Sequence, residues 1–332
     1  MIKLFNSNKI LVSVLYIPIL LLLTGIDFQQ GSIIPSTNDL NLVAGFILKP
    51  FYAIPILYQY IITVVVIFIQ LMLLTYISTK HQLQKSTNLL VGLFYIIFLA
   101  FMPQTFLLNE GILANFFIIG SIDQVLESYK KHKAYGNIVN AGLFIGLASL
   151  FSPILILLFI WAFIGILRLR SFKGTERLLL FLASLMPYYL LGSWLFFNGN
   201  FTEFFNKQLL SPFGPLKLLQ LEQKELITIL MLIAASIVLI FNFRNYMIKR
   251  NMVVQRKISN VFFLFMLSLG LKFFLGLSVA NYTILLAIPM SIFSAILCQM
   301  GNYKWAELVT ILLIANVLCL RIDFILKIFG LN

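Results

Sequence analysis

Charge is what this sequence has least of. Only 11% of its 332 residues are Asp, Glu, Lys or Arg, where a soluble domain of this size carries about 25%. No stretch is long and polar enough to be a soluble domain. Two cysteines, Cys298 and Cys319, lie in apolar runs with no histidine nearby. They read as small buried hydrophobes and make no metal site. There is no Walker motif, no glycine-rich dinucleotide loop and no Ser/His/Asp or Cys/His constellation. That argues against an ATP-driven or nicotinamide enzyme. The apolar runs do not alternate with polar residues, which argues against a transmembrane barrel. The apolar stretch 10–23 follows Lys3 and Lys9 as a signal peptide would. The small-residue cleavage pattern is missing, because Thr24-Gly25-Ile26-Asp27-Phe28 comes next, so an uncleaved first helix is expected.

What is abundant is hydrophobicity: 61% of residues are hydrophobic and the mean hydropathy is +1.00. Apolar runs of membrane-spanning length recur from end to end. The chain therefore reads as an all-α, polytopic membrane protein, one transmembrane domain over 1–332 with about 11 hydrophobic helices. Single helices are expected near 9–25, 54–78, 88–107, 111–127, 178–197, 226–243, 258–278, 282–300 and 305–326. Two larger loops, 26–50 and 198–225, separate them. The first turns amphipathic from Leu40 to Leu48, as an interfacial segment does, and Lys49-Pro50 is expected to end it.

The net charge of +13 follows the same logic. Basic residues collect in cytoplasmic loops and set orientation. No basic, aromatic-interleaved surface exists outside the apolar runs, so nucleic acid is not an expected partner. His81 and His132 lie in such basic loops, where a solvated role is expected. The run 138–168 would be about 46 Å long as one helix, against a hydrocarbon core of about 30 Å. Lys130, Lys131 and Lys133 precede it, and Arg168, Arg170, Lys173 and Arg177 follow it. Both flanks look cytoplasmic, so the run should enter and return as a hairpin of two short helices. The turn is expected at Ser152-Pro153, because proline cannot continue the helical ladder. Gly142 and Gly146 would let the first short helix approach a neighbour closely. With the N-terminus cytoplasmic, most basic residues fall inside, and Asp27, Asp39, Glu110, Glu203, Glu222 and Glu225 fall outside.

Three outer carboxylates are candidates for chemistry: Asp27, Asp39 and Glu110, each close to a helix end. In a cleft they could serve as a general base or hold a divalent cation. Otherwise they are solvated loop acids. Lys272 is the only basic residue well inside an apolar helix. It either serves a function, such as binding a lipid-carrier phosphate, or snorkels to the headgroups. Asn115 and Asn140 also fall within apolar segments, where polar contacts between helices account for them as well as function does.

Four local features carry a resemblance. One helix is followed by an acidic, then amphipathic outer segment. Lys49-Pro50-Phe51-Tyr52 precedes the second helix. Asn109-Glu110-Gly111-Ile112-Leu113-Ala114-Asn115-Phe116-Phe117 opens a Phe-rich helix, followed by the Ala-Gly-rich stretch from Ala141 to Leu150. Asn281-Tyr282-Thr283 leads to Pro289 in a late helix. This layout resembles the GT-C superfamily, polytopic glycosyltransferases that use polyprenyl-phosphate-linked sugars. Two features depart from its pattern: Asp27 and Asp39 are not adjacent, and Asn281 stands where Arg or His is usual. The resemblance implies sugar transfer at the outer face of the inner membrane. Asp27 (or Asp39) would be the catalytic base, and Glu110 would position the acceptor or a divalent ion. Lys272, Tyr282 and Lys49 would bind the lipid phosphate. Membrane lipids and a lipid-linked sugar are the partners it implies. Two other readings stay open: a non-catalytic subunit or scaffold of a cell-envelope complex, and a lipid or solute transporter.

Overall fold

The computed structural model describes residues 5, 10–21, 41–86, 88–101, 107–129, 131, 133–170, 173–210, 223–248, 250–275, 279–300, 311 and 313–314. Helix is the regular secondary structure of these residues, with no strand among them. The helices of ten or more residues are α1 (Leu42–Tyr52), α2 (Ile56–Lys80), α3 (Leu90–Ala100), α4 (Glu110–Glu127), α5 (Tyr135–Phe151), α6 (Leu158–Leu169), α7 (Gly174–Phe197), α8 (Gln223–Phe241), α9 (Met252–Leu275) and α10 (Val279–Met300).

Four helical stretches among the described residues are long and apolar enough to cross a membrane: Ile56–Lys80, Gly174–Phe197, Met252–Leu271 and Thr283–Met300. The protein therefore has the character of a membrane protein. The remaining apolar runs are shorter. α3 reaches only about 16 Å, half a hydrocarbon core. Every residue of α3 is buried, so its hydrophobicity faces protein on all sides. An apolar run all round marks burial, whether by lipid or by neighbouring helices.

Expected boundaries shift for identifiable reasons. α1 continues through Pro50 to Tyr52 instead of ending at Lys49-Pro50. Proline removes one hydrogen bond, and so near the C-terminus little ladder remains to lose. The third expected helix stops at Ala100, with a turn at Phe101. Arg256 and Lys257, expected in a loop, lie in the first turns of α9. Most of 305–326 and all of 26–40 lie outside the described residues.

The expected break at Ser152-Pro153 is present. Ser152 is extended (φ −135°, ψ 101°), and a 3-10 turn, Pro153–Leu157, leads into α6. α5 then packs on α7 through its glycines. A methyl group added at Gly142 would stand 2.7 Å from the Leu180 carbonyl, and one at Gly146 would strike the Ser184 carbonyl and Pro187. The Tyr188 hydroxyl donates to the Ser149 carbonyl (3.1 Å). These contacts advance together along both helices, so α5 and α7 run parallel. The chain between them doubles back, as a hairpin requires. At its return, Arg170 pairs with Glu176 of α7 at 2.9 Å, both side chains buried.

Buried polar side chains bind the centre of the bundle. Gln70 of α2 donates to the Ile112 carbonyl of α4 (2.5 Å) and accepts from the Tyr95 hydroxyl of α3 (2.9 Å). Asn115 of α4 donates to the Ile284 carbonyl of α10 (2.7 Å). Asn115 is thus a link between helices, each such bond being worth about 0.6 kcal/mol in membrane proteins. Asn140, by contrast, is exposed.

Candidate functional site

The bundle has two polar ends, and α4 joins them. At one end Glu110 opens α4. Asn109 caps the helix by accepting from the Ile112 amide (2.9 Å), and an acid at the first position suits the positive end of the helix dipole. Both Glu110 oxygens are taken by one residue, Asn41, at the start of α1. The Asn41 amide donates to Oε1 (2.9 Å) and its Nδ2 to Oε2 (3.1 Å). Asn41 Nδ2 also donates to the Phe151 carbonyl (2.9 Å). One asparagine therefore ties α1, α4 and the end of α5 together.

Glu110 stands ahead of the apolar part of α4, outside the four spans. Burial raises its pKa to about 7, and the Asn41 hydrogen bonds only partly offset that. Nearby, Tyr52 donates to the Leu108 carbonyl (2.9 Å). Burial, then the Glu110 charge, push its phenol up to about 12. Glu110 is thus a carboxyl poised to change charge near neutral pH, beside a phenol that stays protonated there. It does not fit a divalent ion on the residues described. Its oxygens already accept from N–H donors, and no cluster of three or more His, Cys, Asp or Glu side chains occurs among the described residues.

The α5 C-terminus joins this end to a groove. Three consecutive carbonyls there are capped from different elements: Ser149 by Tyr188, Leu150 by Gln208 Nε2 (2.7 Å), and Phe151 by Asn41. Gln208 and Tyr188 line a groove of about 1130 Å³ along α7, walled by Leu182, Met186, Tyr189 and Phe196. Gln208 Oε1 is buried there with no hydrogen-bond partner among the described residues. The helix beside the groove is one of the four spans, and many of its large side chains are exposed, Phe181, Tyr189 and Phe197 among them.

At the opposite end, α4 finishes with Asp123 and Glu127. Lys80 Nζ lies 2.9 Å from Asp123 and 2.7 Å from Glu127. His81, expected to be solvated, is instead 4% exposed. Its Nε2 is 2.9 Å from Asp123 Oδ1, and its Nδ1 is 3.0 Å from Lys257 Nζ on α9. An ammonium can only donate, so Nδ1 accepts and the Nε2–H donates to Asp123. His132 lies outside the described residues.

Of the other candidates from the sequence, Asp27 and Asp39 also lie outside the described residues. Lys272 and Tyr282 sit on α9 and α10, where only the backbone is described. Lys49 is exposed in the last turn of α1, eight residues and about 12 Å along the axis from Asn41. The described structure brings together Glu110 and Asn41, and the sequence offered only the first. Asn41 carries a usable signal all the same, since it stands immediately before an amphipathic helix, where Asn is a favoured cap. The His81 cluster also left a trace: Asp123, Glu127 and Lys131 repeat at four-residue spacing, one face of a helix.

No curated protein and no solved structure matches the chain. Residues 40–329 match the model of DUF6427, described as a family of unknown function. That stretch includes Glu110, Asn41, the groove and the His81 cluster, and the chain belongs to this family.

Proposed function

We propose that this chain is an integral membrane protein that takes the hydrocarbon tail of a lipid-linked substrate into the groove along α7 and presents its head to Glu110. The observation that carries the reading is the shared α5 C-terminus, where Gln208 from the groove and Asn41 from the carboxyl site cap adjacent carbonyls. A groove beside a spanning helix is in contact with lipid, so its natural occupant is a chain of methylenes or isoprenes. Two further observations fit. Gln208 offers a buried oxygen at the polar end, and Glu110 has a pKa suited to general-base work at neutral pH.

The reaction that matches a GT-C-like layout is sugar transfer from polyprenyl phosphate at the outer face of the inner membrane. An acceptor hydroxyl attacks the anomeric carbon, and its proton passes to Glu110. The bond from the anomeric carbon to the phosphate oxygen breaks, and polyprenyl phosphate leaves with the electron pair. About eleven crossings and a cytoplasmic N-terminus belong to the same proposal.

The experiment is photolabelling and turnover with the purified full chain. A photoactivatable polyprenyl phosphate is expected to label α7 between residues 179 and 197. Glu110→Gln is expected to lower transfer by about 10²–10⁴-fold with labelling intact. Labelling spread evenly over all lipid-facing helices would overturn the groove. One observation favours a second reading, a non-catalytic subunit of an envelope complex: both Glu110 oxygens are already occupied by Asn41, as in a structural tie. That reading is upheld if the wild type shows no turnover and co-purifies with fixed partners.

A further inference from the structure

At the Lys80 end, beyond the His81 cluster, a second and smaller cavity opens between the end of α2 and the start of α9. It holds about 310 Å³ and its walls are mainly polar, close to the lower limit of small-ligand pockets. Ser78 and Gln84 line it, with Lys85, Arg250 and Asn251. Among the described residues no carboxylate lines it. Asp123 and Glu127, the acids in ion pairs at this end among the described residues, are engaged by Lys80, His81 and Lys131.

Ser78 and Gln84, two residues of its wall, each hold a buried polar atom with no hydrogen-bond partner among the described residues: Ser78 Oγ and Gln84 Nε2. Both residues are more than nine-tenths buried, and both atoms can donate. A buried donor left unsatisfied is costly, and such groups commonly mark where a missing partner belongs. Arg250 is held in place by its own donors, NH1 to the Gln84 carbonyl (3.0 Å) and NH2 to the Leu83 carbonyl (3.3 Å). That uses two of the five N–H groups of a guanidinium, and no carboxylate pairs with it among the described residues. Gln82, at the rim, takes φ +53°, so the loop turns sharply around the cavity.

From this cavity we infer an anion site for a phosphate group, one that Arg250 and Lys85 would neutralise and Ser78 and Gln84 would hydrogen-bond. Phosphate suits it because it offers several acceptor oxygens to converging donors, and arginine matches it geometrically. The cavity lies where two spans, Ile56–Lys80 and Met252–Leu271, begin or end. That is headgroup depth if they cross a bilayer, so the phosphate can belong to an anionic phospholipid or be free in solution. The site lies at the opposite end of the bundle from Glu110 and does not depend on the reading given above.

The test is thermal melting of the purified full chain with added inorganic phosphate, with phosphatidylglycerol, and with phosphatidylcholine as control. A ligand that binds only the folded state raises the melting temperature. Phosphatidylglycerol acting at lower concentration than phosphate assigns the site to a headgroup, and phosphate acting alone assigns it to a soluble anion. Either is expected to weaken about tenfold or more in Ser78→Ala combined with Lys85→Gln. Those changes spare the Arg250 contacts that hold the loop, so the variant is expected to fold. Arg250→Gln should act in the same direction. Equal stabilisation of wild type and double variant, or none by either anion, would overturn the site.

Discussion

Glu110 and Asp123 stand at opposite ends of one helix and have opposite surroundings. Glu110 meets the amide and carboxamide of Asn41, neutral donors that leave its charge free to change. Asp123 meets the Lys80 ammonium and the His81 ring, with Lys257 behind the ring. Burial acts on both, but only the second has cations to match its charge. The comparison teaches that the partner decides an acid's use more than its depth does. Ringed by cations, a carboxylate clamps helices. Held by neutral donors, it keeps a proton within reach near neutral pH. The sequence already favours Glu110 and suggests a solvated His81; what it does not show is that the charge-rich end closes into a clamp.

Removing the clamp should have the largest effect. Asp123→Ala leaves the buried His81 Nε2–H without its acceptor and Lys80 with Glu127 alone, at the junction of α2, α4 and α9. Losing the acceptor of a buried N–H together with one half-exposed ion pair costs about 1–3 kcal/mol, and a marked fall in melting temperature is expected in detergent. Lys80→Ala should cost less, since its side chain is 30% exposed. A loss under about 1 kcal/mol for Asp123→Ala would show that water already solvates these charges and that the two ends do not differ as described.

Titration separates the ends next. Because the folded-state pKa of Glu110 is raised from 4.5 to about 7, the native state binds the proton more tightly than the unfolded chain does. Stability from this group is therefore full below pH 4.5, falls as pH rises toward 7, and is flat above. The fall is at most about 2–3 kcal/mol after allowing for partial exposure. The measurable quantity is the difference in unfolding free energy between wild type and Glu110→Gln across that window. A pH-independent difference would mean that Glu110 carries an ordinary carboxyl.

Much of this architecture was legible beforehand. The break at Ser152-Pro153 could be read because proline and flanking charge act locally. The close α5–α7 contact could be foreseen from Gly142 and Gly146, although the sequence did not identify α7 as the partner. The two-sided burial of α3 was not legible, since a run apolar on every face reads the same against lipid as against protein. The Asn41–Glu110 tie was hidden because its partners are far apart in the chain and only packing joins them. His81 was misread for a similar reason. Its neighbours in sequence are polar, while its burial depends on α4 and α9 closing over it. Asp27 and Asp39 were chosen for their sequence position, and their relation to Glu110 needs the segment 26–40.

The smallest effect should come from the rim of the clamp, and it calibrates the rest. Lys131, in the loop just past α4, pairs with Glu127 at 2.7 Å and donates to Asn137 at 3.0 Å. Its side chain is 40% exposed and that of Glu127 30%. Water and salt screen such a pair, and an exposed pair of this spacing contributes about 0.3–0.5 kcal/mol. Lys131→Ala is therefore expected to shift the melting temperature barely, and the shift should vanish in about 1 M salt, where the Debye length is about 3 Å. Lys257, half-buried with its ammonium on the buried His81 ring, should lose less of its contribution in salt. Comparing Lys131→Ala with Lys257→Ala at low and high salt thus measures how far the interior of the cluster is shielded. Equal salt sensitivity of the two would place His81 in contact with solvent and dissolve the distinction between a buried clamp and its solvated rim.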